Sequence, residues 1–203
     1  MTRVGEMMLF TALWLLCCLP VVTVGAATAA LYRMAFNMRQ EGTTKITDFF
    51  RAFAQNFKKA TLLWLAVILA AAVLMGLYFA TALVGSDIVR VLLLLVFCVG
   101  FIVCYAASIY VFPLTAYFEN TVAGTLRNAV GMGMGHLRST VPACALSLIP
   151  WIVAVALPEF FLGMLFLWVF LAPGALAYAI TGPLQKVFKI YEAPREDKNK
   201  DLS

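Results

Sequence analysis

Leu13-Trp14-Leu15-Leu16-Cys17-Cys18-Leu19-Pro20-Val21-Val22-Thr23-Val24-Gly25-Ala26-Ala27-Thr28-Ala29-Ala30-Leu31-Tyr32 carries no charge along its whole length. About 20 apolar residues cross the hydrocarbon of a bilayer, so the stretch has spanning length. Pro20 removes one backbone donor and bends a helix that runs through it. Thr23 is close enough to answer the freed carbonyl, as hydroxyls do in membrane helices. Gly25, Ala26, Ala29 and Ala30 then form a face of small residues that lets a neighbouring helix approach closely. Helix packing is the first reading of this face, ahead of substrate contact.

The rest of the chain follows the same pattern. It has 203 residues, of which 64% are hydrophobic and 12% charged, and a mean hydropathy of +0.94. Soluble domains run near 45–50% apolar and about 25% charged, so this is the composition of a membrane protein. The hydropathy pattern predicts an all-α, polytopic membrane helix bundle in one domain, 1–185. Five spans are expected, at about 7–32, 60–86, 91–118, 141–157 and 160–183, with kinked ends. A charged tail, 186–203, reads as too polar to join a core. Arg3 in front of the first run and the small-residue stretch Ala27-Thr28-Ala29 within it give a superficial signal-peptide look. The run is too long for that, and cleavage would put the most basic loop on the wrong side of the membrane.

Two surface stretches separate the spans. In 45–59, Ile46, Phe49, Phe50, Phe53 and Phe57 share one helical face, with Lys45, Asp48, Arg51, Gln55, Lys58 and Lys59 mostly on the rest. That predicts an amphipathic helix lying in the interface, capped by Thr44 or Thr47. Phe49, Phe53, Asn56, Phe57, Lys58 and Lys59 are its candidate contacts with a partner or the membrane surface. The weaker stretch 122–138 places Leu126, Val130 and Leu137 on one face, interrupted by glycines, and contributes Asn128. Pro20, Thr23, Gly25, Thr28, Pro113 and Pro173 are the candidate packing and kink positions. Spans one and three, each followed by a surface stretch and a return helix, read as a parallel duplication.

Charge sets the expected orientation. Arg33, Arg39, Lys45, Arg51, Lys58 and Lys59 fall between the first two spans, Arg127 and Arg138 between the third and fourth, and five more cations in the tail. The opposite side has only Arg3 and Arg90. The positive-inside rule then places the N-terminus outside and the C-terminus in the cytoplasm.

The chemistry of known reactions is missing. No apolar run holds a charge near its middle, where coupled carriers keep an ionisable group. No phosphate-binding glycine loop is present. His136 is the only histidine, which leaves no histidine metal cluster and no Ser-His-Asp set. The five cysteines sit singly or side by side in apolar runs, without a CxxC pair. The expectation is no enzyme, no cofactor, no metal and no nucleic-acid partner. Trp14, Trp64, Trp151 and Trp168 read as packing or interfacial anchors before they read as a sugar path.

Leu13–Tyr32 resembles the N-terminal signature of the YesL family of bacterial membrane proteins. The similarity continues through Phe53, Asn56, Phe57, Lys58, Lys59 and Ala60, then Tyr110, Phe112-Pro113-Leu114, Ala116-Tyr117, Leu126, Asn128 and Ala129. It implies a multi-pass protein of the bacterial plasma membrane tied to sugar import. It brings no catalytic or binding residues with it. The expected role is an accessory subunit that binds the permease of a carbohydrate-uptake ABC transporter through small-residue helix faces. A stand-alone channel or facilitator for a sugar or small solute, as a homo-oligomer, is the alternative. A membrane-surface regulator or scaffold that senses anionic lipid is a third.

Overall fold

A computed structural model describes residues 3–40 and 44–200, the side chains of Arg3 and of 193–200 excepted. Residues 41–43, which hold Glu41 and Gly42, and 201–203 lie outside the described residues. Among the described residues the chain is all helix and short connection: α1 (Arg3–Cys18), α2 (Val24–Gln40), α3 (Ile46–Leu83), α4 (Asp87–Tyr117), α5 (Val122–Gly135), α6 (Leu137–Ala156), α7 (Pro158–Gly163), α8 (Leu165–Phe170) and α9 (Ala172–Lys200). Helices α3, α4 and α6 are long and apolar enough to cross a membrane.

The first apolar stretch is not one span. It breaks at Leu19-Pro20, makes a 3₁₀ turn at Val21–Thr23 and folds back as α2. The proline disfavours helical backbone at Leu19 and supplies no donor of its own. Thr23 holds the reversal, its one hydroxyl proton lying between the carbonyls of Pro20 (2.7 Å) and Cys17. Trp14 Nε1 donates to Thr28 Oγ1 across the hairpin at 3.1 Å. Phe10 and Met7 of α1 pack with Met34, Ala35 and Met38 near the far end of α2, so the two helices are antiparallel. Pro113, by contrast, sits inside an unbroken α4. The residues on both sides of it are buried, and packing holds the helix together where a hydrogen bond is missing. The two prolines of the expected duplication therefore do different things.

The stretch 45–59 is not a separate interfacial helix. It is continuous with the following apolar run in the 38-residue α3, about 57 Å long at 1.5 Å per residue. Its cap is neither threonine: the Asp48 carboxylate accepts the Lys45 backbone N–H at 3.3 Å. The inward face is also turned from the expected one. Phe49 and Ala52 are buried and Phe53 and Phe57 half-buried, while Ile46 and Phe50 are exposed. In α5 the inward residues are Thr125, Ala129, Met132 and Gly133, one position off the expected Leu126-Val130 face. Gly133 lies against Ala106 of α4, where an added Cβ would stand 3.3 Å from backbone carbon. Backbone approach therefore decides the face, and bulk does not.

Helix α4 runs antiparallel to α3: Trp64 meets Phe112 (ring centroids 6.3 Å apart) and Tyr78 meets Phe97 (5.4 Å). The expected fifth span is interrupted at Met164 and Leu171 and divides into α7, α8 and the start of α9. Pro173 is the second residue of α9, a position where a helix tolerates proline, and so begins that helix without kinking it. The expected tail also joins the core. Ala177, Ile180, Leu184, Val187 and Phe188 line one buried stripe of α9.

The bundle thus has a dense base and an open stem. The base holds α1, α2, the first part of α3, residues 107–117 of α4, α5 and much of α9. The stem is the rest of α3 and α4, whose most apolar 18-residue stretches have only 6% and 0% of their residues buried. Phe10 of α1 stacks on Phe49 at the start of α3, 6.3 Å between centroids. Glu192 of α9 accepts from Tyr117 at the end of α4. Both described ends of the chain therefore lie at the base, where an N-terminus outside and a C-terminus inside would separate them. The reversal at Pro20 is the physical reason.

A polar recess at the base of the bundle

Helix α2 carries Arg33, Asn37 and Gln40 at i, i+4 and i+7, which sets them on one face. Helix α9 carries Gln185, Lys189 and Glu192 with the same spacing. The core stripe of α9 seats Phe188 against Phe36 (5.9 Å) and Tyr117 (5.2 Å). That packing turns the two polar faces towards each other, and together with Phe36 and Tyr117 they line a recess of about 460 Å3.

The walls are held at fixed points. Tyr117 Oη donates to Glu192 Oε2 at 2.9 Å. Arg33 Nη1 donates to the carbonyl of Ala116 at 2.8 Å, tying α2 to the end of α4. One turn on, Arg39 donates to the Tyr178 carbonyl (2.6 and 3.0 Å) and to Thr181 Oγ1 (2.9 Å). Its guanidinium lies 4.1 Å from the centre of the Tyr178 ring. Asn37 and Gln185 are half-buried and Arg33 and Lys189 stand at the mouth. The recess presents two cations, one carboxylate, a phenol and amides over an aromatic floor. It can bind and orient a polar group. It holds no nucleophile–base pair.

The residues singled out in the sequence are placed elsewhere. Gly25 seats α2 on α3: an added Cβ would meet the Ala60 carbonyl oxygen and stand 2.7 Å from Trp64 Cβ. Ala26, Ala29 and Ala60 pack together there with Phe53 and Phe57 around them. The small-residue face is therefore spent inside the protein and is not offered to a partner. Trp64 Nε1 donates to the Val21 carbonyl at 3.1 Å, so Trp14 and Trp64 fasten the hairpin. Trp151 is exposed and Trp168 stacks on Phe161, so the four tryptophans line no common path. Asn56 Nδ2 bonds the Ala52 carbonyl of its own helix (3.0 Å). Lys59 Nζ donates to the Phe118 carbonyl (3.3 Å), and Lys58 points outward. Asn128 lines a smaller recess of about 200 Å3 with Arg127, Phe118 and Tyr191. Sequence reasoning missed the larger recess because it set 186–203 aside as tail. The helical spacing of Ile180, Leu184, Val187 and Phe188 was the available signal.

A second concavity, of about 480 Å3, lies on the stem between α3 and α4. Ala66 and Ala70, four residues apart, face Cys104, Ala107 and Ser108 across it, with Phe97 and Phe101 beyond. Its lining is almost wholly apolar.

Residues 7–78, which span most of α1, α2 and most of α3, match the model of a family described as "Protein of unknown function, DUF624". No curated protein matches the chain. No solved structure matches it either.

Proposed function

We propose that the protein is a non-catalytic accessory subunit that holds a transmembrane helix of a partner membrane protein against its stem. The observation that carries this reading is that almost no residue in the apolar runs of α3 and α4 is buried within the protein, joined to the groove between them. In a bilayer no hydrophobic force drives helices together, and close packing at small residues does. Ala66 and Ala70 provide such a track. The resemblance to the YesL family, whose members carry the domain matched by residues 7–78, makes the permease of a carbohydrate-uptake ABC transporter the proposed partner. A multi-pass protein of the bacterial plasma membrane follows from the same resemblance. The density of lysine and arginine at the base directs that end to the cytoplasm.

The docking surface differs from the one read from the sequence. Phe49, Phe53 and Phe57 face inward, so the partner meets the stem and not an amphipathic helix. The stem groove does not favour a solute pathway within one chain, because its lining is almost wholly apolar and would hydrate poorly.

Co-purification of tagged protein at native levels tests the proposal. A permease should accompany the wild type and be lost from Ala66→Leu/Ala70→Leu, which fills the groove. Solute flux in proteoliposomes containing this chain alone would instead establish the channel.

A further inference from the structure

We propose that the recess between α2 and α9 is a binding site for a phosphate-bearing headgroup that also carries an amine. This goes beyond the partner reading and does not depend on it, since the recess is at the base and the docking groove is on the stem.

The argument starts from donors that have no work. A guanidinium has five N–H donors, and Arg33 uses one on Ala116. Among the described residues Lys189 makes no ion pair or hydrogen bond, and neither do the side-chain amides of Asn37 and Gln185. Two half-buried amides and two exposed cations thus turn their donors to one recess of about 460 Å3, an arrangement that suits an acceptor-rich ligand. Phosphate is the acceptor that suits an arginine fork together with a lysine point charge.

Glu192 selects what accompanies the phosphate. One of its oxygens accepts from Tyr117, which fixes the carboxylate on the recess wall. A carboxylate there repels a second anion and attracts a cation. The charges of Arg33, Lys189 and Glu192 leave the site one positive unit in excess, the complement of a phosphodiester, with the carboxylate available to an ammonium.

Position supplies the source. Arg33 bonds Ala116, and Lys59 bonds Phe118, where the apolar run of α4 ends. The recess therefore opens at the depth at which lipid headgroups lie. A soluble phosphomonoester with an amine offers the same chemistry, so the test separates the two.

The full-length protein is purified in detergent, and lipid retention is read by native mass spectrometry after exchange into phosphatidylethanolamine or phosphatidylglycerol. Binding of phosphoethanolamine is measured by calorimetry in parallel. Lys189→Gln is the main variant, because Lys189 is exposed and bonds no other described residue, and Glu192→Gln tests the selection. Retention of phosphatidylethanolamine that falls at least tenfold in Lys189→Gln, with loss of preference over phosphatidylglycerol in Glu192→Gln, establishes the lipid headgroup. The same pattern with phosphoethanolamine alone establishes a soluble ligand. Equal binding by wild type and Lys189→Gln, or no binding of either probe, overturns the site.

Discussion

Tyr110 of α4 and Thr140 of α6 share a hydrogen bond of 2.9 Å where neither side chain reaches water. Thr140 Oγ1 also lies 2.9 Å from the Gly133 carbonyl and 3.1 Å from that of His136. A hydroxyl has one proton, so Thr140 donates to a carbonyl and accepts from Tyr110. Three helices meet at this oxygen.

Thr140→Val removes the acceptor and strands the tyrosine hydroxyl, and should cost about 1–3 kcal/mol. Tyr110→Phe in the same background should recover part of that loss, since both polar partners are then gone. Thermal unfolding of the four proteins in one detergent measures the coupling. Strictly additive losses would show that the bond contributes nothing.

The seat of α2 on α3 admits no side chain at Gly25. Gly25→Ala should destabilise by about 1–3 kcal/mol, as over-packing does when the opposing atoms are backbone. Gly131, with open space around it, is the control: Gly131→Ala should be neutral or stabilising by up to about 1 kcal/mol. A reversed order in unfolding midpoints would dispose of the hairpin seat.

Residue 188 tests whether the charged C-terminal segment belongs to the fold. Phe188→Ala should cost about 3–5 kcal/mol, the range for emptying a buried aromatic site. The exposed neighbour Ile190→Ala should stay within about 0.5 kcal/mol. Equal effects would mean that α9 does not dock.

The reversal at Pro20 predicts a labelling pattern. In a background without the native cysteines, Val4→Cys and Lys45→Cys should react with an impermeant maleimide from the same side of the membrane, and Ser86→Cys from the other. Joint labelling of positions 4 and 86 would restore a spanning first segment.

Class and helix content were legible because hydropathy reports them directly. The run after Lys59 and the run ending at Tyr117 carry enough apolar residues that no other reading competes. The breaks were harder. Pro20 and Pro113 look alike in sequence, and what separates them is burial: Leu19, Val21 and Val22 are 80%, 67% and 54% exposed, whereas Pro113 is enclosed. Burial is a tertiary property, and a local window does not contain it. The same holds for α9, whose apolar stripe was diluted by lysines, and for Gly25, whose small size was read correctly as a packing device but assigned to an external neighbour. The recess needed two faces 150 residues apart to be brought together, and neither is unusual alone.

The hairpin has a consequence for how the chain is made. Its seat is Ala60 and Trp64, which leave the ribosome after α1 and α2 are already complete. These two helices have no place to rest until a later one arrives, so assembly of the base must wait on α3, and a nascent chain halted before Trp64 should leave α1 and α2 unprotected from protease.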